Sequence, residues 1–251
     1  MAMEVQIDIE PFHTLIKLMS MVDKTITLNF DTEGIESSLI DSTKSFAVSA
    51  SIPKEKIDVY KLDKKELVHL DSTNVLTFIK ACEVKGTEKI KIKIKDEDEQ
   101  SIVFSVGRLK RKMRRLESNE LYNTKRPGIE FKTSFSIDGS ALKNAVLAVN
   151  TVSDVTKFKA DLDKILLQGF DTNDEIEVIF NKTDASIKDY DNPEDDTTSM
   201  FASEWLRSVI NFVTKTPVFV EMGKDFPLRL SWEFTDKCNA EAFFAPRVEM
   251  E

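Results

Sequence analysis

The feature that most constrains the fold is an internal repeat with an offset of 130 residues. Residues 9–22 and 137–152 both place apolar side chains at helical spacing, and Met19 of the first segment corresponds to Val149 of the second. The same offset links three further pairs, Asp31 with Asp161, Ile35 with Ile165 and Asp41 with Asp171. We therefore predict two copies of one domain.

Each copy carries a second predicted helix, over residues 72–84 and 202–214, with Ser72 and Ser203 as predicted N-caps. Short runs of alternating polarity between the helices predict strands, which makes the fold class α+β. The run KIKIKIK at 89–95 is the clearest, and we interpret its lysine side as solvated. The polar segment 118–128 is the predicted connector between a domain of residues 1–117 and a domain of residues 129–251.

The composition predicts a globular protein, with 41% hydrophobic and 31% charged residues and a net charge of -9. A chain this acidic binds nucleic acid only if its basic residues are sorted onto one surface. Two cysteines, which we expect to be buried thiols, and two histidines are too few for a disulfide framework or a zinc site, so no cofactor is predicted. The sequence contains no run of about 18 or more apolar residues and no secretory signal. We therefore expect an intracellular protein without a membrane partner.

None of the common enzyme signatures occurs, including the phosphate-binding loop, the dinucleotide fingerprint and the nucleophile elbow. The acidic segment 184–199 has no glycine and therefore does not fit a calcium-binding EF-hand loop. We do not expect an enzyme. The polar faces of the four predicted helices are mildly basic, which is the sorting that a nucleic-acid role requires, although lysine is also common on ordinary exposed helices.

Several segments resemble the proliferating cell nuclear antigen (PCNA) family of DNA sliding clamps from archaea and eukaryotes. They are FFAPRVE at 243–249, IDSTKSFAVSASIP at 40–53, NFVTKTP at 211–217 and FPLRLSWEF at 226–234. The resemblance extends over the whole chain. It implies two β-rich clamp domains with helices on the inner face of a ring and sheets outside, where the acidic charge is expected to lie.

The resemblance implies a non-catalytic subunit of a trimer that encircles double-stranded DNA. A clamp loader places such rings on DNA, and DNA polymerase, flap endonuclease and DNA ligase bind them through short peptides. It implies a location in the cytoplasm or nucleoid of an archaeon or in the nucleus of a eukaryote. A rival interpretation is a non-catalytic protein that binds single-stranded nucleic acid.

The resemblance also assigns candidate residues to two sites. The DNA-facing candidates are His13, Lys17, Lys80, Lys143, Arg207 and Lys215. The candidates for an apolar groove that holds partner peptides are Ile40, Lys44, Ser45, Ala47, Leu121, Tyr122, Pro127, Phe226, Pro227, Phe243, Phe244, Ala245 and Pro246.

The basic run RLKRKMRRLE at 108–117 corresponds to the edge strand that joins clamp subunits in the resembling family. Its predicted partner is the acidic strand NDEIEVIFN at 173–181, on an identical or a different subunit. The interface candidates are Arg108, Lys110, Arg111, Lys112, Arg114, Arg115, Asp174, Glu175 and Glu177. A nuclear targeting signal and a single-strand-binding groove remain alternatives, but the run lacks the aromatic residues that such a groove uses.

Overall fold

The computed structural model describes residues 2–82, 88–95, 97–117, 128–193, 196–213 and 216–247. The chain divides into two compact units. The first unit comprises Met1–Asp41, Val48–Thr124 and Thr235–Ala240, and the second comprises Ser42–Ala47, Lys125–Phe234 and Glu241–Glu251. The domain boundaries at 117 and 129 stay a prediction, because residues 118–127 of the connector lie outside the described residues.

The N-terminal half of the chain folds into nine strands and two helices within the described ranges. In order they are β1 (Met3–Asp8), α1 (Ile9–Ser20), β2 (Thr25–Asp31), β3 (Gly34–Ile40), β4 (Phe46–Pro53), β5 (Ile57–Leu62), β6 (Glu66–Asp71), α2 (Ser72–Ala81), β7 (Lys89–Lys95), β8 (Asp98–Val106) and β9 (Leu109–Arg114).

The described part of the C-terminal half repeats this pattern. Its elements are β10 (Thr133–Asp138), α3 (Gly139–Val149), β11 (Val155–Ala160), β12 (Lys164–Asp171), β13 (Asp174–Asn181), β14 (Ile187–Asp191), β15 (Thr197–Ala202), α4 (Ser203–Ile210), β16 (Pro217–Met222), β17 (Leu228–Thr235) and β18 (Cys238–Phe244). None of these helices is long and apolar enough to cross a membrane.

The core of the first unit lies between its helices and a five-stranded antiparallel sheet in the order β5-β1-β7-β8-β9. The strands alternate, so Ile90, Ile92 and Ile94 of β7 are fully buried while the intervening lysines point to the other face. The rings of Phe12 and Phe78, from α1 and α2, lie 6.2 and 6.4 Å from that of Phe104 on β8. Each large apolar side chain buried in this way contributes about 1.5–3 kcal/mol.

Further strands complete each unit. The first has the strand order β4-β3-β2-β6 beside its five-stranded sheet. The second has a four-stranded sheet, β13-β12-β11-β15, and the order β14-β10-β16-β17-β18. Helices α1 and α2 pack together in the first unit, and α3 and α4 do so in the second.

The predicted repeat is confirmed by hydrogen bonds that recur at the same offset. Tyr60 of β5 donates its hydroxyl to the carbonyl of Gly34, and Tyr190 of β14 donates to the carbonyls of Asp161 and Lys164. The strand registers agree as well, because β2 pairs with β6 as β11 pairs with β15. The two units are therefore copies of one arrangement.

The four predicted helices are present, but both predicted N-caps are wrong. Ser72 and Ser203 are the first helical residues, and the residues before them, Asp71 and Ala202, are the caps. The Asp71 carboxylate accepts hydrogen bonds from two backbone N–H groups of α2, whereas Ala202 has no side-chain acceptor to offer. The Ser72 hydroxyl instead donates to the carbonyl of Lys24 at 2.9 Å.

The predicted helices are also too long at their C-terminal ends, since α1 ends at Ser20, α2 at Ala81, α3 at Val149 and α4 at Ile210. The prediction that both cysteine thiols are buried holds for Cys238, while Cys82 is only partly buried.

Candidate functional site

The predicted DNA-facing residues of the first unit lie on the solvent side of α1 and α2. Lys17 and Lys80 are exposed and His13 is half-buried. Burial and the neighbouring charge of Lys17 both lower the pKa of His13, so the imidazole favours its neutral form.

Two clefts of about 500 and 510 Å³ border these helices, and Lys80 and Leu76 line both. His13 and Lys17 line one cleft, and Lys24 lines the other. Lys24 was not among the sequence candidates because it follows the end of α1 and therefore lies outside the helical periodicity. Each cleft thus contains two lysines, a chemistry that suits a phosphate group.

The described helices of the second unit carry as many lysine and arginine side chains as those of the first. Arg207 of α4 is exposed and Lys143 of α3 is half-buried, while Lys215 lies outside the described residues. Glu204 is also exposed on α4, so its charge offsets that of Arg207. Glu10 is likewise exposed on α1, so the described helices carry the same net charge in both units, and the first unit differs by having Lys24 beside α1.

The peptide-groove candidates of the second unit lie on segments that the edge of β15 holds in place. The carbonyl of Thr198 accepts the N–H of Asp225 at 3.1 Å, and the carbonyl of Met200 accepts the N–H of Arg247 at 2.7 Å. The Ser199 hydroxyl donates to the carbonyl of Phe226 at 3.1 Å. One strand edge therefore fixes both the loop that carries Phe226 and the segment that follows β18.

An aromatic cluster lies beneath these segments. Phe46 stacks on Trp205 of α4, with ring centroids 4.7 Å apart, and its ring lies 5.3 Å from that of Phe244. Phe244 is 1% exposed, so it supports the site from the core. The carbonyl of Ser45 accepts the N–H of Ala245 at 2.8 Å, which joins the 42–47 segment to the C-terminal strand.

The groove candidates differ in how accessible they are. Phe226 is 48% exposed, and Phe243 is half-buried with the Arg229 guanidinium 5.7 Å from its ring centre. Lys44 is exposed, whereas Ser45, Ala47, Pro227, Ala245 and Pro246 are half-buried. The structure places Ile40 in the first unit, and Leu121, Tyr122 and Pro127 lie outside the described residues.

The two predicted interface strands both lie at the end of a sheet. β9 ends the five-stranded sheet of the first unit, and β13 ends the four-stranded sheet of the second. Arg108, Lys110 and Arg114 are exposed at the first edge, and Asp174, Glu175 and Glu177 are exposed at the second. Each edge thus presents unpaired backbone groups together with side chains of one sign.

Three residues of the basic run are held within the first unit. Arg111 donates both terminal nitrogens to Asn74 of α2, at 2.9 and 2.6 Å, because its position faces the helices. Arg115 donates to the carbonyls of Glu99 and Leu67, at 2.9 and 2.6 Å, and to the carboxylate of the buried Glu66 at 3.2 Å.

The third is Lys112, which forms an ion pair with Asp98. Arg111 and Arg115 are therefore bonded within the first unit, and their contact with a neighbouring subunit stays a prediction. Within the described ranges, no group of three or more His, Cys, Asp or Glu side chains is arranged to hold a metal ion.

No protein-family model matches the chain. A DNA polymerase sliding clamp of Archaeoglobus fulgidus is 22% identical to it over 227 residues, which is 89% of each chain. The chain is thus similar, over most of its length, to DNA sliding clamps of the PCNA family.

Solved clamp structures have the same fold. The PCNA of A. fulgidus, bound to the C-terminal region of FEN-1, superposes with a TM-score of 0.88 at 19% identity and covers 99% of this chain and 100% of its own. A PCNA2–PCNA3 complex from Sulfolobus tokodaii gives a TM-score of 0.84 at 18% identity, covering 98% of this chain and 100% of that one. Two β-rich clamp domains with four helices are therefore the fold of this chain.

Proposed function

We propose that the chain is a subunit of a ring-shaped sliding clamp that encircles double-stranded DNA and acts as a processivity factor for DNA polymerase. The observation that carries this proposal is the pair of oppositely charged sheet edges, β9 and β13, in a chain whose relatives are named DNA polymerase sliding clamps. A basic edge and an acidic edge on one chain favour head-to-tail association, which closes into a ring when the rotation allows it.

The charge pattern supports pairing of the outward side chains of β9 with acidic side chains of a neighbouring subunit. Lys110, Lys112 and Arg114 share one face of the strand, and Glu175 and Glu177 share one face of β13. Side chains alternate along a strand. If β9 of one subunit pairs with β13 of another so that their buried faces lie on the same side, the basic set and the acidic set share the opposite side. The partner subunit is either identical to this chain or a different clamp chain.

The helix surfaces support weak, sequence-independent contact with the DNA backbone. A closed ring stays on DNA through its topology, so it needs only a few phosphate contacts, and strong binding would oppose sliding. Lys17 and Lys80, with Lys24 beside them, are suited to such contacts. The chain itself carries out no reaction in this proposal.

The aromatic site of the second unit is proposed to bind short peptides of DNA polymerase, flap endonuclease and DNA ligase. An aliphatic residue and aromatic rings of such a peptide would contact Phe226, Phe243 and the segment that contains Pro246. A clamp loader is the proposed partner that places the ring on DNA. The proposed location is the cytoplasm or nucleoid of an archaeon, or the nucleus of a eukaryote.

The test is retention on DNA of different topology. After incubation with a clamp loader and ATP, we expect the protein to stay on closed circular DNA during gel filtration and to leave once the DNA is cut. Equal retention on both forms would refute the ring and would favour a single-strand binder if the protein followed unpaired DNA.

A pair of substitutions tests the helix surfaces. Lys80→Ala with Arg207→Ala is expected to shorten the DNA tracts made by polymerase on a primed circle. Lys65→Ala with Lys188→Ala, which removes one exposed lysine outside the helices from each unit, is the matched control. Equal tract lengths for the two variants would refute the assignment of the DNA-facing surface.

A further inference from the structure

The face of the five-stranded sheet that points away from the helices concentrates basic side chains. The strand registers place Glu4 of β1 directly opposite Lys61 of β5 on one side and Lys93 of β7 on the other. Lys91 lies opposite Gln6 on the same face. The opposite face of β7 is the buried isoleucine row, so this basic face is set by the alternation of the strand.

The excess of positive charge on this face is large for an acidic chain. The paired strand positions that point outward, together with Asp58 at the bulge of β5, carry eight basic and four acidic side chains, for a net charge of +4, while the whole chain carries -9. The basic residues are Lys61, Lys89, Lys91, Lys93, Lys95, Lys110, Lys112 and Arg114, and the acidic residues are Glu4, Asp8, Asp58 and Asp98. This face of the first unit is therefore basic, whereas the acidic charge was expected on the sheet side.

The carboxylate of Glu4 shows that the lysines of this face bind an acidic group. Glu4 accepts hydrogen bonds from Lys91 at 2.7 Å and from Lys93 at 3.0 Å, and these two contacts lower the pKa of Glu4 to about 2. Lys61 and Lys95 are exposed, and neither makes an ion pair with a carboxylate of the described residues. The face thus has more cationic groups than its own carboxylates neutralise.

The shape and composition of the face indicate which anion fits it. Its outward positions include no aromatic side chain, so it lacks the stacking platform that single-stranded nucleic acid uses. Successive outward lysines of β7 are two residues apart, or about 7 Å along the strand. An extended peptide with an acidic residue at every second position has the same repeat.

We propose that this basic face is a docking surface for an extended acidic segment of a partner protein. Lys110, Lys112 and Arg114 lie at the edge assigned to the subunit seam, so the centre of the docking surface is the row formed by Lys61, Lys91, Lys93 and Lys95. The surface belongs to the first unit and the peptide groove to the second, and occupation of the surface requires neither the peptide groove nor DNA.

The test uses a fluorescein-labelled peptide of alternating Glu and Ser and follows its anisotropy at low salt. We expect the wild-type chain to bind the peptide, and Lys61→Glu with Lys95→Glu to weaken binding about tenfold, since two attractive contacts become repulsive. The control, Lys188→Glu with Lys224→Glu, changes the net charge equally on the second unit. It is expected to weaken binding less than about twofold.

Three results would overturn this assignment. The first is no binding by the wild-type chain, and the second is an equal loss in both variants, which would indicate bulk charge alone. The third is tighter binding of an oligothymidylate of similar length, with the same sensitivity to the Lys61 and Lys95 substitutions, which would make the surface a nucleic-acid site. Sedimentation of the two variants separates this inference from the ring, because neither pair of substitutions touches β9 or β13.

Discussion

The two units share a strand frame, and both tie the segment after their last strand to the edge of an equivalent strand. In the first unit the carbonyl of His69 on β6 accepts the N–H of Leu116 at 2.9 Å. In the second unit the carbonyl of Met200 on β15 accepts the N–H of Arg247 at 2.7 Å. The strand registers make these the same position of the repeat.

Two residues earlier on β6 and β15, the two units differ in the group that donates to the edge carbonyl. The carbonyl of Thr198 is satisfied by the backbone of Asp225, which belongs to the loop that presents Phe226 to solvent. The corresponding carbonyl of Leu67 is satisfied by the guanidinium of Arg115, which also pairs with a buried carboxylate. The strand frame alone therefore does not produce an aromatic site. The group that satisfies the edge carbonyl decides whether a loop or a charged side chain covers the edge.

The largest expected effect comes from reversing charge at the edge of the first unit. Lys110→Glu with Arg114→Glu should raise the dissociation constant between chains about 100-fold, because opposite charges across paired strands contribute about 0.2–1 kcal/mol each and the reversal makes them repel. Sedimentation velocity over a concentration series measures the change. Adding Glu175→Lys and Glu177→Lys should restore the ring. An unchanged ring in the first variant would show that the edges do not join subunits.

Removing Arg115 tests how much its side chain, bonded to Leu67 and Glu66 of β6, stabilises the first unit. Arg115→Ala should lower the free energy of unfolding by about 3 kcal/mol, since it leaves the buried Glu66 carboxylate without its main partner. Urea denaturation measures the loss. Adding Glu66→Gln should recover part of it because the uncompensated charge is then gone. Arg114→Ala, at an exposed neighbouring position, should cost less than about 0.5 kcal/mol. Similar losses for Arg114 and Arg115 would contradict the internal role of Arg115.

Phe226, on the loop that covers the edge of β15, tests the peptide site of the second unit. Phe226→Ala should weaken binding of a peptide with one aliphatic and two aromatic residues by about 2 kcal/mol, as expected for an aromatic contact at the centre of an interface. Because the side chain is 48% exposed, the free energy of unfolding should change by less than about 1 kcal/mol. Calorimetric titration gives the affinity. Phe219→Ala, at a ring that is 39% exposed elsewhere on the unit, is the control and should leave the affinity unchanged.

The smallest expected effect is on the pH dependence of the free energy of unfolding. It arises at His69, which occupies the position that Met200 has in the second unit. Burial and the charge of Arg115 lower the pKa of His69, whose ring nitrogen lies 2.8 Å from the Thr27 hydroxyl. The folded pKa lies below the unfolded value of about 6.5, so the stabilisation is complete above that pH and is lost as pH falls through the folded pKa.

His69→Met, which copies the second unit, should reduce the slope of the unfolding free energy below about pH 6.5 by at most about 1.4 kcal/mol per pH unit. The pKa of His13 is also lowered, so part of the slope should remain. Urea denaturation at several pH values measures the slopes. Identical slopes for the variant and the wild type would show that the pKa of His69 is the same in the folded and unfolded chains.

Much of the fold was predictable because its signals are local. The 3.6-residue spacing of apolar side chains located all four helices, and the alternation at 89–95 identified both the buried isoleucines and the outward lysines of β7. The helix caps were less predictable, because a serine and an aspartate are equally good caps and only their position along the turn separates Asp71 from Ser72.

The candidate sites were predicted less completely because their contacts join distant parts of the chain. The basic run indicated an exposed edge, yet Arg115 bonds to Glu66, which is 49 residues away in the sequence. Nor did the sequence show that residues 42–47 belong with the C-terminal strand, where the carbonyl of Ser45 meets the N–H of Ala245. Pairings over such distances leave no period in the sequence.

Side-chain spacing along short stretches of chain predicts the doubled domain, its helices, its alternating strands and the opposite charges of two segments. Which of those charges face outward depends instead on tertiary packing. Alternation on β9 directs Lys110 and Arg114 to solvent and Arg111 to the helices, and burial beside Glu66 removes Arg115 from the surface. A charge can be counted from the sequence, but its direction depends on what packs against its strand.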